Sequence, residues 1–533
     1  MNGPSQVQFW FIALAIGVAA GFAALGFRLG IDALQRAVYG VDDPHRLHSF
    51  AETLSWYRVL ALPVLGGLVV GFILHRFTPD ARVRSVADVI EGAALNEGRV
   101  EQKAGLASAL ASLITLSTGG SSGREGPVVH MAGVMATWVS NRIRADGITG
   151  RDLLGCAVAG AVSASFNAPI AGALFALEVV LRHFAVHAFA PITIAAVAGT
   201  VINRLEFGGI TEFSLPQDDR LSFYQELPAF LLLGLFCGLV AVLLMQAIFW
   251  AETLGDEVQR KTGMPRWLRP GLAGLGLGVM AIFYPHIIGV GYETTSRALT
   301  GGLIFHEAVM FCVVKCIAVA LTMAGRMGGG VFSPSLMVGA LAGLAFGAVA
   351  TSIFPNVSGA ETLYALSGMG AVAAAVLGAP ISTTLIVFEL TGDWQTGLAV
   401  MVAVSMSTAL ASRLVDRSFF LTQLEQRGKR LAAGPQAYLL SIFSAAMLMR
   451  GKDAAAAASE EACEELISQG VMLSPDATLA EALPEFEKWG YAFLPVVTRN
   501  AEGEPVLQGA LFHVDALRAY SQALATTAQE EHS

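Results

Sequence analysis

Charge is what this sequence has least of. Asp, Glu, Lys and Arg make up 14% of its 533 residues, against about 25% in soluble domains. With 54% of the residues hydrophobic, a water-soluble fold of this length could not hide its apolar surface, which excludes a soluble globular protein. Cysteine is also scarce: Cys156, Cys237, Cys312, Cys316 and Cys463 are scattered along the chain. Cys312 and Cys316 share a helix face, but no His or second Cys pair completes a metal site, so they read as small core residues. No metal or other cofactor is expected. No nucleophile–base pair, metal cluster or phosphate loop is apparent either, and no enzymatic activity is expected. There is no basic stretch ahead of the apolar run Phe9–Phe27, so that first helix is expected to be retained rather than cleaved.

Glycine, by contrast, is abundant. The 57 glycines exceed the usual share of about 7% and suit helices that approach closely within a membrane. Charge is unevenly placed. From Gly434 onward there are 14 acidic and 5 basic residues, so the whole formal charge of −9 lies in this tail and the preceding part is neutral. An acidic tail argues against nucleic acid as a partner.

The expected class is an α-helical polytopic membrane protein followed by a small α/β domain. Spanning candidates are Phe9–Phe27, Val59–Leu74, Leu227–Trp250, Gly271–Pro285, Ala308–Met323 and Leu398–Ala411. Crossing a bilayer takes about 20 residues, and several apolar pieces are too short and are interrupted by Gly and Pro: 104–118, 127–140, 155–165, 168–182, 333–350 and 378–391. Helices that stop inside a membrane are tolerated only where protein or a water-filled cavity satisfies their ends.

A repeat fits that pattern. Asn167-Ala168-Pro169-Ile170, with Leu174 and Glu178 following, is echoed by Gly378-Ala379-Pro380-Ile381, with Leu385 and Glu389. Upstream of each copy lies a Gly-rich break before Pro, Gly123-Arg124-Glu125-Gly126-Pro127 and then Gly328-Gly329-Gly330-Val331-Phe332-Ser333-Pro334. Interrupted segments in corresponding halves point to a substrate site at the membrane midplane.

Glu125 stands at the start of an apolar helix whose free amides and dipole attract an anion. Its carboxylate is either that anion, bound intramolecularly and displaceable, or a plain helix cap. Gly328–Pro334 forms a second such start, exposing the amides of Val331 and Phe332, unless its glycines serve only close packing. An anion pore gains from partial positive charge, because binding must remain weak enough for exit. Arg124 either focuses anions or pairs with a structural acid. Glu178 and Glu389 end apolar helices and, being repeat-related, are expected to share a structural role. His130 is expected to be packed and hydrogen-bonded.

Together these stretches resemble the CLC family of chloride channels and chloride/proton antiporters over roughly residues 10–430. Phe166-Asn167-Ala168-Pro169 and the stretch from Gly368-Met369-Gly370-Ala371 to Glu389-Leu390-Thr391 add to the two Gly-rich motifs. The resemblance implies a homodimer with one anion pathway per subunit, each subunit being built from two inverted halves (about 9–205 and 226–430) in a transmembrane domain spanning 1–433. Glu125 falls at the family's gating glutamate. The amides of Val331 and Phe332 fall at its chloride sites, and the backbone of Arg124 and Gly126 at the outer one. Gly123, Pro127, Gly328, Gly329, Gly330 and Pro334 complete the selectivity motifs.

Three departures stand out. Ser85 takes the chloride-contacting serine position, but the family's surrounding Gly and Pro are replaced by Val86-Ala87-Asp88, which brings an acid close. The antiporters' internal proton glutamate follows directly after the position of Glu178, and here that place is Val179. The pore-lining tyrosine aligns with Phe420. The tail resembles a CBS module, with 434–470 read as a linker and degenerate first segment, 471–525 as the CBS-like motif and 526–533 as disordered. Leu431–Gly434 reads as the linker into it, and from Val471 the expected order is strand, helix Leu479–Trp489, strand Ala492–Val497, turn Asn500–Pro505, strand Val506–Phe512 and helix Val514–Ala523. Asp515 keeps the ribose-binding type of acid, but Phe512 replaces the usual hydroxyl, so no adenine nucleotide is expected there.

The resulting expectation is chloride transport in a bacterial-like inner membrane, with a cytoplasmic tail. Passive conduction gated by Glu125 ranks ahead of chloride/proton exchange by a non-standard route through Glu178 or Asp88. A fluoride exporter and a non-transporting membrane receptor rank lower.

Overall fold

The computed structural model describes residues 6–184, 186–209, 226–355, 358, 360–429, 431, 439–452, 454, 456–499 and 505–532. The chain divides into two units. Met1–Ala93, Gly98–Arg182 and Phe189–Lys429 form the first; Ala94–Glu97, His183–Ala188 and Arg430–Ser533 form the second.

In hydrocarbon every backbone N–H and C=O must be satisfied within the protein, which a helix does along its own length. The apolar runs of the first unit are accordingly helical. Seven helical stretches among the described residues are long and apolar enough to cross a membrane, the longest helices being Gln6–Tyr39 and Leu227–Thr262. The interrupted pieces appear as Gln102–Thr118, Glu125–Ile143, Gly147–Phe166, Pro169–Phe175, Phe332–Ile353 and Pro380–Thr391. Sequence patterning missed the short helices Val86–Leu95 and Tyr292–Leu299. Along the helix Leu227–Thr262, Leu232, Leu235, Leu239 and Leu243 are exposed on one side, as an apolar face of a membrane protein can be.

The order of elements from Gln6 to Phe207 recurs from Leu227 to Leu414, as expected of two inverted halves. The breaks before the two Ala-Pro-Ile segments match in detail. Asn167 (φ 57°) and Gly378 (φ 69°) each end a helix in the left-handed conformation, which Gly and Asn adopt most readily. Glycine also sets the closest approach of helices. A Cβ on Gly339 would lie 2.3 Å from the Gly368 carbonyl oxygen, and one on Gly368 would lie 2.5 Å from that of Gly339. No larger side chain fits between Phe332–Ile353 and Glu361–Leu377.

The second unit holds three antiparallel strands, β1 (Arg450–Gly451), β2 (Phe493–Arg499) and β3 (Pro505–Phe512), in the order β1-β3-β2. Phe493 pairs with Phe512 and Pro495 with Ala510, with an irregularity between Val496 and Val497. The helix Leu479–Trp489 opens on a capping box in which the Thr478 amide donates to Glu481 Oε2 at 3.0 Å. Leu479, Phe486, Leu494, Val496, Leu511 and Ala516 form the core, together with Ala445 and Leu466.

This differs from the sequence expectation in three places. The stretch 434–470, read as a linker with a degenerate segment, contributes Ala445 and Leu466 to that core. The strand expected near Val471 is reduced to a single parallel bridge between Leu473 and Val496. The helix His513–His532 runs through residues read as disordered, because no Gly or Pro interrupts them. Most of the expected linker 431–434 and of the turn 500–505 lies outside the described residues.

Candidate functional site

The two Gly-rich loops, about two hundred positions apart in sequence, are joined backbone to backbone. The Gly123 amide donates to the Gly330 carbonyl at 2.7 Å, and the Gly330 amide donates back to Gly123 at 2.7 Å. The Ser122 hydroxyl donates to the Gly328 carbonyl at 3.0 Å, and the Gly328 amide to Thr115 Oγ1 at 3.0 Å. Gly329 has φ 123° and would bring a Cβ within 2.0 Å of Ser122 Oγ, so both conformation and space demand glycine there. A Cβ on Gly126 would come within 3.2 Å of the Gly330 Cα.

This bracing sets two helix starts side by side. Glu125 opens the helix Glu125–Ile143, with Pro127 in its first turn, and Phe332 opens Phe332–Ile353, with Pro334 in its first turn. The Glu125 side chain crosses to the second start. Its Oε1 accepts from the Ser333 hydroxyl at 2.5 Å and its Oε2 from the Ser333 amide at 3.4 Å. Only 2% of Glu125 is exposed, so these donors are what the carboxylate has in exchange for water. The amides of Val331 and Phe332, just ahead, meet no protein acceptor among the described residues. The Phe332 ring packs on Phe166 and Phe175, at centroid distances of 4.7 and 5.7 Å.

A cavity of about 370 Å³ reaches this point. Ser85, Gly126, Gly329, Gly330, Val331, Phe332 and Phe420 all line it, so the residues picked from distant parts of the sequence converge on one space. Arg124 lies outside that lining. Its guanidinium donates to the Ser165 carbonyl at 3.3 Å and stands 5.1 Å from the centroid of the Tyr292 ring. Asp88 caps the helix that follows Ser85: its Oδ2 accepts from the Ser85 amide at 2.8 Å, while Oδ1 takes the Arg427 guanidinium at 2.9 Å.

Glu178 and Glu389 exchange caps between the halves. Glu178 accepts from the amides of Ile381 (3.0 Å) and Ser382 (2.8 Å), and also from the Ser382 hydroxyl. Glu389 accepts from the amides of Ile170 (3.0 Å) and Ala171 (2.8 Å). Each carboxylate thus answers the free amides and dipole at the start of the other half's short helix. Around Glu178 the helix widens into a π turn over Ala176–Leu181, in which Val179 is buried. His130 is packed as expected, but its two ring nitrogens have no hydrogen-bond partner among the described residues. In the tail, Asp515 Oδ2 accepts from Arg450 Nε at 2.7 Å, and the guanidinium lies 4.1 Å from the Phe512 ring centroid. The acid suited to a ribose is already engaged.

Sequence reasoning missed Ser333 and Glu252. Ser333 stood inside the quoted motif, and its position one residue into the helix was the available signal. Glu252 is an acid near the end of a long apolar helix and lines the cavity; only the fold brings it there.

Comparison with known proteins bears on the fold and the family. Residues 66–412 match the family model described as voltage gated chloride channel. A ClcB-like chloride channel protein of Ralstonia nicotianae is 31% identical over 396 residues, covering 74% of this chain and 91% of its own. Among solved structures, a slow cyanobacterial Cl−/H+ antiporter superposes with a TM-score of 0.69 at 20% identity, covering 79% of this chain and 97% of its own. A eukaryotic CLC transporter gives a TM-score of 0.67 at 19% identity over 97% of this chain and 89% of its own. With its paired Gly-rich helix starts and matched halves, the chain belongs to the CLC family of voltage gated chloride channels.

Proposed function

We propose that the protein moves chloride through this cavity, with Glu125 as a gate that competes with the anion, and that a proton releases the gate, so that transport exchanges chloride for protons. The observation that carries the proposal is the seat of the Glu125 carboxylate on the Ser333 amide and hydroxyl. A carboxylate held on the donors of a helix start is itself a bound anion. An incoming chloride must displace it, and protonation removes the charge that holds it there. Val331 and Phe332 would supply amides to the transported ion, with Ser85 and Phe420 lining its path, and the arginines on the cavity wall are engaged by Asp256 and Asp88 rather than left to grip the ion.

A second reading, passive conduction, is favoured by Val179, which carries no proton at the place where antiporters of this family have their internal glutamate. It stood first on the sequence alone. The seat of Glu125, with a further acid on the cavity wall, moves exchange ahead of it.

The test is reconstitution into liposomes, measuring the chloride reversal potential with and without an imposed pH gradient. Exchange predicts a reversal potential that shifts with the pH gradient; a value fixed by chloride alone refutes it in favour of conduction. Glu125→Gln and Glu125→Ala are expected to give flux that no longer responds to pH, and retention of the wild-type pH response removes Glu125 from the gating role. The proposal further includes a homodimer in an inner membrane with the tail on the cytoplasmic side, to be checked by cross-linking and by protease access to the tail in sealed vesicles.

A further inference from the structure

Glu252 lies on the helix Leu227–Thr262 and lines the same cavity as Gly126, Phe332 and Phe420. The cavity wall is rich in guanidinium groups, and almost all of them have partners. Asp256, one turn further along the same helix, takes Arg269, Arg326 at 2.8 Å and Arg82 at 3.5 Å. Arg427 is held by Asp88 at 2.9 Å. Arg269 does reach Glu252, but donates to its backbone carbonyl at 3.4 Å. Among the described residues, no hydrogen bond or ion pair reaches the Glu252 carboxylate. The arginines come from four separate segments, and each prefers another acceptor. A structural ion pair is therefore a poor account of why an acid stands here.

An unpaired carboxylate just past the apolar span Leu227–Trp250 of a membrane protein, facing a cavity, is the kind of group that carries protons. The far end of the space, at Gly126 and Phe332, adjoins the gate, whereas Arg82 and Asp256, with side chains 39% and 44% exposed, connect it with solvent. The chain has Val179 where the family's antiporters have an acid. Neither substitute named from the sequence suits the task, because both Glu178 oxygens are committed to backbone amides and the Asp88 oxygens to the Ser85 amide and the Arg427 guanidinium.

We infer that Glu252 is a proton-exchanging group of the anion pathway, accepting a proton from the solvent side of the cavity on a carboxylate oxygen and releasing it toward Glu125. The inference rests on the exchange reading above. Protonation of Glu252 also removes a negative charge from a space lined by Arg82, Arg269, Arg326 and Arg427, with Asp256 and Asp88 as their counter-charges. The site then favours an anion more strongly when it holds a proton than when it does not. Uptake of one species promotes uptake of the other.

The experiment reconstitutes wild type, Glu252→Gln and Glu252→Asp in liposomes and records chloride efflux and proton uptake together. Wild type is expected to drive protons uphill on a chloride gradient. Glu252→Gln should slow chloride efflux somewhat but cut the number of protons moved per chloride at least tenfold, and Glu252→Asp should restore most of that ratio. A wild-type ratio in Glu252→Gln overturns the role of Glu252 while exchange itself stands. Loss of both fluxes in proportion in Glu252→Gln also overturns it, since a structural or anion-binding role would act that way. No proton movement in wild type overturns the exchange reading and this inference with it.

Discussion

Replacing Glu389 by Gln tests whether the halves are held together by exchanged helix caps. The carboxylate accepts one amide on each oxygen, Ile170 at 3.0 Å and Ala171 at 2.8 Å. Glutamine keeps one acceptor and turns an NH₂ toward the other amide, donor against donor. The stranded amide costs about 1–3 kcal/mol. Loss of negative charge at a helix start adds roughly 0.3–1 kcal/mol. Because Ile170 is 54% exposed and the site is not fully enclosed, the lower part of the combined range, about 2 kcal/mol, is the expected destabilisation. In a chain of this size that lowers the melting midpoint by a few degrees.

The mirror substitution, Glu178→Gln, should cost at least as much, because Glu178 also accepts the Ser382 hydroxyl. Thermal unfolding of the detergent-solubilised protein measures both. If either glutamine variant melts within a degree of wild type, capping is not what these acids do. If Glu178→Gln keeps its melting point but loses proton movement, Glu178 is the proton group and the structural account of it fails.

Two further predictions concern the gate and the tail. Ser333→Ala removes the hydroxyl that donates to Glu125 at 2.5 Å, a charge-assisted bond of about 1.5–3 kcal/mol. Under the proposed gating it should therefore raise chloride flux by roughly tenfold or more at high pH, where a carboxylate gate would be seated; unchanged or lower flux contradicts the seating. In the tail, the hydrogen bond from Arg450 holds the Asp515 carboxyl below its ordinary value. The stabilisation from this pair is therefore present above the unfolded Asp value of about 3.9 and is lost as pH falls through the lower folded value. Pulse-labelled hydrogen exchange of β2 and β3 in urea, in the full-length protein, should show this acid weakening; Asp515→Asn should flatten it, and an equal acid response in that variant dismisses the pair.

The parts of the molecule legible in sequence are those with a one-dimensional signature. Apolar runs broken by Gly and Pro gave the helices, and Leu479–Trp489 was read to the residue because Thr478, Glu481 and Gly490 mark its ends. The pairing of Ala-Pro-Ile with a later Glu in each half was visible, but the exchange was not: nothing in either copy says that Glu178 answers Ser382 rather than its own segment. Ser333 was hidden for the same reason, since its partner Glu125 lies in the other half. Glu252 carries no local mark, and only the convergence of six separate segments on one cavity sets it apart. In the tail, 434–470 looked like a spacer because Ala445 and Leu466 gain their meaning from Leu473 and Leu511 across the core.

If Glu125 is the gate, as proposed, the same cross-bracing limits how it can open. Gly123 and Gly330 pair through two reciprocal hydrogen bonds of 2.7 Å, and Gly329 is locked by its own φ against Ser122. Releasing Glu125 by moving either backbone would break both bonds in a buried setting, at about 1–3 kcal/mol for each amide left without a partner. Turning the Glu125 side chain away from Ser333 gives up only contacts that chloride can replace. Under the proposed gating role, opening is therefore expected to be a side-chain movement within a fixed frame. Glu125→Gln, which imitates the released gate, should leave exchange protection of the Gly123 and Gly330 amides as in wild type. A fall in protection at both amides would mean that the loops separate, and that the bridge between the halves is itself the part that moves.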